Sequence, residues 1–87
     1  PYTAEEVREA LLSGETLTRL SGLRVLNVND RFFINSEQYD TVDPHAADVL
    51  CRYTDVGQNE LGDALHHPAF IDELTDLINQ GYWFFDE

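Results

Sequence analysis

The sequence predicts a single small α+β domain, residues 1–87, with a small antiparallel sheet and about four short helices. Apolar residues recur at helical spacing near the amino terminus and through the second half of the chain. Between these regions, β-branched and aromatic residues cluster in two runs separated by a turn signal. Short helices joined tightly beside a hairpin are typical of a winged helix, so we expect a winged-helix-like arrangement in which the hairpin comes early.

The first helix is predicted from about Ala4 to Ser13. Thr3 and Glu6 have the spacing of a capping box, in which each side chain accepts a hydrogen bond from the other residue's backbone. Gly14 is a plausible carboxy-terminal stop. The residues that follow the cap at helical spacing are Val7, Ala10 and Leu11.

The next elements are predicted to be strands. Residues 23–28 and 31–34 form the two arms of a hairpin, with Asn29 and Asp30 as the turn between them. A second turn at Asn35 and Ser36 is followed by a short third strand at 37–40. Three strands in meander order are more stable than an isolated hairpin.

Helices account for most of the remaining chain. Asp43 and Pro44 predict a capped helix start, Gly57 begins a second short helix, and His67 with Pro68 repeats the arrangement of a cap followed by proline. Gly81 ends the last helix. The residues predicted to face inward are Ala46, Ala47, Val49, Leu50, Tyr53, Leu61, Ala64, Leu65, Phe70, Ile71, Leu74, Leu77 and Ile78.

The charge of the chain excludes several classes of partner. Seventeen Asp and Glu face five Lys and Arg, all of them Arg, for a formal net charge of -12. Such a surface repels phosphate, so we expect neither nucleic acid nor an anionic membrane as a partner. The candidate recognition helix near 58–65 presents Glu60 and Asp63 rather than cations. Cys51 is the single cysteine, which favours a reducing compartment, and we expect the cytoplasm.

No residue pattern predicts catalysis, cofactor binding or metal binding in this chain. His66 and His67 are adjacent and His45 is isolated, whereas ligands on one helix face need a spacing of three or four. Cys51 has no local base, so a half-buried structural thiol is the favoured interpretation.

Two groups of residues are candidates for protein contacts. The first is the aromatic tail, which consists of Tyr82, Trp83, Phe84 and Phe85. If the tail pairs with the 23–34 hairpin, alternate rings enter the core, and the others form a surface for another domain. The second group, Asp72, Glu73 and Asp76, is predicted to lie on or near the exposed side of the last helix, where it would favour a basic protein partner.

Five segments resemble the carboxy-terminal part of bacterial ribosomal oxygenases: LSGLRVL at 20–26, FINSE at 33–37, LGDAL at 61–65, PAFI at 68–71 and NQGYWFFD at 79–86. Members of that family are JmjC/cupin-type enzymes that hydroxylate an arginine of a large-subunit ribosomal protein. The resemblance implies a parent chain with a catalytic domain, a helical dimerisation region and this winged helix. It also implies Fe(II), 2-oxoglutarate and a homodimer for that parent. Ser36 stands where a glycine is expected.

The resemblance implies no catalytic residue here, because no position matches the family's H-x-D…H iron ligands. We expect a non-catalytic accessory domain that contacts the parent's catalytic and dimerisation domains and helps it meet a basic ribosomal protein. The alternative is a free-standing acidic adaptor that binds a basic protein or mimics nucleic acid. A transcription factor remains possible only if another subunit supplies positive charge.

Overall fold

The computed structural model describes residues 1–86. The first half contains helix α1 (Ala4–Leu12) and strands β1 (Leu17–Arg19), β2 (Val25–Val28), β3 (Arg31–Ile34) and β4 (Glu37–Tyr39). The second half contains helices α2 (Pro44–Arg52), α3 (Gln58–Leu61) and α4 (Pro68–Asn79), strands β5 (Asp55–Val56) and β6 (Trp83–Phe85), and a 3₁₀ helix at Gly62–His66. The predicted α+β class is confirmed.

The strands form two small antiparallel sheets. The predicted meander is confirmed as β2-β3-β4, with Val25 opposite Ile34 and Phe33 opposite Gln38. The second sheet has the order β5-β1-β6. The hypothetical pairing of the aromatic tail with the 23–34 hairpin is therefore not formed. β6 pairs with β1 instead, because the turn after α4 brings the tail beside the segment that follows α1.

One apolar core joins the helices to the inner faces of the sheets. α1 packs on α4, and α2 packs on β2 and β3. Every residue predicted to face inward from the last three helical segments is buried, as are Ala46, Ala47, Val49 and Leu50 of α2. Tyr53 is the exception, with 43% of its surface exposed. α2 ends at Arg52, and the extended backbone of Tyr53 (φ -115°) turns its side chain away from the buried helix face.

Local signals set the helix starts. The capping box of α1 is present, with Thr3 Oγ1 accepting from Glu6 N at 3.2 Å and Glu6 Oε1 accepting from Thr3 N at 2.9 Å. Asp43 Oδ1 accepts from Ala46 N at 3.0 Å at the start of α2. His67 occupies the cap position of α4 without a side-chain cap bond, and its Nδ1 lies 3.4 Å from Asp43 Oδ2.

Both turns of the β2-β3-β4 meander place two consecutive residues in the left-handed region. Asn29 and Asp30 have φ values of 51° and 62°, and Asn35 and Ser36 have values of 52° and 73°. Two-residue turns of this kind match the twist of a hairpin and favour Asn followed by Gly. Asn35 fits, since its Oδ1 accepts from Arg24 N at 3.1 Å. Ser36 is the strained member, because a Cβ disfavours this conformation.

Ser36→Gly is expected to raise the free energy of unfolding by about 0.5–1 kcal/mol, the strain relieved less the added entropy of the unfolded chain. Urea denaturation of the two proteins measures the difference. Ser13→Gly is the matched control, since Ser13 has a φ of -83° and its Oγ donates to Ala10 O at 2.8 Å. This control should lower stability. A loss of stability in Ser36→Gly would contradict the turn geometry.

Candidate functional site

The aromatic tail alternates between core and solvent. Trp83 is fully buried and Phe84 is 45% exposed, whereas Tyr82 and Phe85 are half-buried. The predicted alternation of the rings is confirmed, although the partner strand is β1. Trp83 Nε1 is buried and has no hydrogen-bond partner within residues 1–86. Trp83 is therefore a core residue, and Phe84 is the tail ring that remains most open to a partner.

The side of the β1–β6 pair that faces away from the core carries an apolar surface. Phe84 lies opposite Thr18, and Thr18 Oγ1 donates to Asp55 Oδ1 at 2.8 Å. Leu20 follows β1, is 45% exposed, and donates its backbone N–H to Tyr82 O at 2.9 Å. Strand alternation places Leu20 on the same side as Thr18 and Phe84. We call Thr18, Leu20 and Phe84 the outer face. Neither Thr18 nor Leu20 was predicted from the sequence to be a contact residue, because β1 is only three residues long.

The three acidic residues of α4 are not equivalent. Asp72 and Asp76 are exposed, as predicted, and Asp76 Oδ2 accepts from Gln80 Nε2 at 2.8 Å. Glu73 is half-buried and lies at the edge of the exposed side of α4. Its Oε2 accepts from Thr41 Oγ1 and its Oε1 from Val42 N, each at 2.9 Å. Glu73 therefore ties α4 to the loop that leads into α2.

The environment of Glu73 alters its protonation. Burial raises the pKa of its carboxyl group, with the nearby charge of Asp43 acting in the same direction. The hydrogen bonds from Val42 and Thr41 act against this shift because they favour the charged form. The Glu73 carboxylate is occupied by two internal hydrogen bonds. Asp72 and Asp76 are therefore the acidic groups of α4 that are accessible to a partner.

The remaining candidates for chemistry lie apart from one another. Cys51 is half-buried, and burial together with the charge of Asp48 raises the pKa of its thiol to about 11, so the thiolate is scarce at neutral pH. His45 and His66 are exposed on different helical segments. Within residues 1–86, no three His, Cys, Asp or Glu side chains come together in a way that could hold a metal ion.

The helix that a winged-helix protein would present to DNA is short and acidic here. α3 has four residues, and the 3₁₀ helix follows it directly. Glu60 and Asp63 are both exposed on this stretch. Their charges would face phosphate oxygens in a DNA groove, so the geometry gives no support to DNA reading. None of the helices in the described part of the chain is long and apolar enough to span a membrane.

Tyr2 and Phe85, which are far apart in the sequence, meet at a groove beside the end of α1. The rings of Tyr2 and Phe85 lie 5.3 Å apart between centroids, with an angle of 58° between their planes. The groove is shallow and open to solvent, has a volume of about 470 Å³, and is lined by Tyr2, Glu6, Glu9, Ala10, Ser13, Glu15 and Phe85. No local sequence signal could have revealed it, since its aromatic members are separated by almost the whole chain.

Comparisons with known proteins agree with one another. The family model for the ROXA-like winged helix matches residues 1–84. The ribosomal protein uL16 3-hydroxylase of Escherichia coli (strain K12) is 42% identical over 86 residues, which cover 99% of this chain and 23% of that protein. The crystal structure of the Escherichia coli ribosomal oxygenase YcfD superposes with a TM-score of 0.92 at 42% identity, covering 99% of this chain and 24% of that one.

A further structure of YcfD, in complex with cobalt and 2-oxoglutarate, superposes with a TM-score of 0.92 at 41% identity and covers 100% of this chain and 24% of that one. The chain thus spans about a quarter of the length of these relatives. Residues 1–86 contain no group of three His, Cys, Asp or Glu side chains that could hold such a metal. With the matched family model, the two small sheets and the four helices in agreement, this chain belongs to the ROXA-like winged helix family.

Proposed function

We propose that this chain is the non-catalytic, carboxy-terminal winged-helix domain of a ribosomal-protein arginine hydroxylase dependent on Fe(II) and 2-oxoglutarate. The observation that carries the proposal is the 42% identity to the uL16 3-hydroxylase, over 99% of this chain but 23% of that protein. Catalysis and cofactor binding then belong to the other domains of the parent. The cobalt and 2-oxoglutarate in the YcfD complex support this choice of cofactors.

In this proposal the domain contacts the catalytic and dimerisation domains of the same parent chain. The parent enzyme is proposed to be a cytoplasmic homodimer. The outer face supports that role. Phe84 and Leu20 are each 45% exposed on the same side of the β1–β6 pair, where they offer an apolar surface to a partner. Trp83 cannot take part, because it is fully buried.

The charge of the domain supports a second role. A ribosomal protein substrate is basic, and a formal charge of -12 attracts such a protein and speeds encounter. Asp72 and Asp76 are exposed members of that acidic surface, whereas Glu73 is occupied internally. Substrate capture by the parent should therefore weaken with added salt. Capture that is insensitive both to salt and to neutralisation of Asp72 and Asp76 would remove this role.

Phe84→Asp in the whole enzyme is expected to lower hydroxylation turnover at least about threefold or to lower the melting temperature by several degrees. The physical reason is that a carboxylate at a covered apolar contact is buried without a partner. Tyr53→Asp is the matched control, because Tyr53 is an aromatic residue of similar exposure, 43%, on a different part of the surface. If both variants behave like the unmodified enzyme, the outer face is not a domain contact.

The intact mass of the native protein separates the two candidate functions. A mass several times 10.0 kDa is expected if the chain is a domain of a larger enzyme. Assays of the purified protein for iron- and 2-oxoglutarate-dependent hydroxylation of a ribosomal protein would follow. A mass near 10.0 kDa would instead favour the free-standing acidic adaptor, for which the charge of -12 is the supporting observation.

A further inference from the structure

We propose that the groove beside the end of α1, between Tyr2 and Phe85, binds the guanidinium group of an arginine in a basic protein segment. The groove has an aromatic wall, Tyr2 and Phe85, and an acidic rim, Glu6, Glu9 and Glu15. The inference rests on the proposed function only for the source of the segment, a basic ribosomal protein. The chemistry of the site stands on the residues themselves.

The aromatic wall is held in place before any ligand arrives. Tyr2 N donates to Asn79 Oδ1 at 2.8 Å, and Asn79 Nδ2 donates to Tyr2 O at 3.0 Å, so one amide of α4 fixes the backbone of Tyr2. Phe85 is fixed by its pairing with Leu17, and Asp86 N donates to Thr16 O at 2.9 Å just beyond it. The backbone at both positions is therefore held in place, and both rings remain partly exposed. A cation over such a ring face is attracted by its quadrupole.

The acidic rim is available to a ligand. Glu9 and Glu15 are exposed, and the side chain of neither makes a hydrogen bond or an ion pair within residues 1–86. Glu6 is held at a fixed position by the bond that its Oε1 accepts from Thr3 N. A planar guanidinium can contact the aromatic wall and the acidic rim at once, because it can stack on a ring while its edge donates hydrogen bonds to carboxylates.

The end of α1 strengthens the preference for a cation. The last turn of this helix carries no basic residue, and Ser13 caps it at the groove. The carboxy-terminal end of a helix has a partial negative charge, so carboxylates there are unfavourably placed. Glu9 lies in that last turn and Glu15 lies just beyond it. A cation bound beside Glu9 and Glu15 would relieve this repulsion.

The test uses the 87-residue protein and three capped pentapeptides, Gly-Ser-X-Ser-Gly, in which X is arginine, lysine or citrulline. Amide chemical shifts are followed during titration. Binding of the arginine peptide is expected to shift the backbone amides of Ser13, Thr16 and Asp86. Citrulline has the shape of arginine without its charge, so its peptide should bind at least about fivefold more weakly. Equal binding of the arginine and citrulline peptides would overturn the proposal.

Two double variants separate this groove from the general acidity of the surface. Glu9→Gln with Glu15→Gln is expected to weaken arginine-peptide binding at least about fivefold and to raise the melting temperature of the free protein. Asp40→Asn with Asp63→Asn changes the net charge equally at exposed sites outside the groove, and should weaken binding less than about twofold. Equal weakening in both doubles, or shifts that map elsewhere, would mean non-specific attraction only and would overturn the proposal.

The outcomes also distinguish this inference from the proposed function. Arginine binding at the groove of a protein whose native mass is near 10.0 kDa would sustain the inference and remove the oxygenase assignment. A hydroxylase whose winged helix gives no groove shifts with the arginine peptide would sustain the assignment and overturn the inference. A Tyr2→Ala variant, expected to weaken binding about threefold, tests the aromatic wall separately from the acidic rim.

Discussion

Trp83→Ala is expected to lower the free energy of unfolding by about 3–5 kcal/mol, the usual cost of removing a buried tryptophan or phenylalanine side chain. Trp83 is fully buried and lies in β6, which holds the tail against β1. A small domain has a total stability of roughly 5–15 kcal/mol, so the variant should be close to unfolding. Urea denaturation followed by circular dichroism gives the difference.

Trp83→Phe and Phe84→Ala serve as controls for this result. Trp83→Phe should cost only about 1–2 kcal/mol, because the buried Nε1, which has no partner within residues 1–86, is removed together with part of the ring. Phe84→Ala should cost less than about 1 kcal/mol, since Phe84 is 45% exposed. An equal loss in all three variants would contradict the alternation of the tail.

Glu73→Ala is expected to destabilise the protein by about 1–3 kcal/mol. The change removes the charged acceptor shared by Thr41 Oγ1 and Val42 N, which joins α4 to the loop before α2. Asp72→Asn, one position earlier on an exposed side of the same helix, is the matched control and should change stability by less than about 0.5 kcal/mol. A Glu73→Ala variant as stable as this control would mean that the two hydrogen bonds contribute nothing.

The same residue gives a pH dependence with a defined sign. The pKa of Glu73 lies above its ordinary value of 4.5 in the folded protein, so between the two values the folded state binds more protons than the unfolded state. Stability therefore falls as the pH rises through this range and is constant above the raised pKa. The difference in unfolding free energy between the unmodified protein and Glu73→Gln should decrease from about pH 4 upward and then level off. An increase over that range would contradict the burial of this carboxyl group.

Most of the local structure could be predicted because its causes are local. Thr3 and Asp43 start helices through hydrogen bonds within one turn, and Pro44 does so through its fixed φ. The Asn29 and Asn35 turns follow from residues that tolerate positive φ. The apolar stripe of α4 is likewise visible in the spacing of the residues alone, and every member of it is buried. The resemblance to ribosomal oxygenases rested on the same short segments.

The sequence by itself determined the α+β class, the helices, the meander and the family. Because its net charge is -12, we also expect no partner rich in phosphate. Only the tertiary structure decided that the tail pairs with β1, that Glu73 is an internal anchor, and that Tyr2 and Phe85 meet at an acidic groove. The reason is physical: each of these contacts joins residues distant in sequence. Spacing along a chain reports which face of an element a side chain occupies, whereas packing decides which element that face meets.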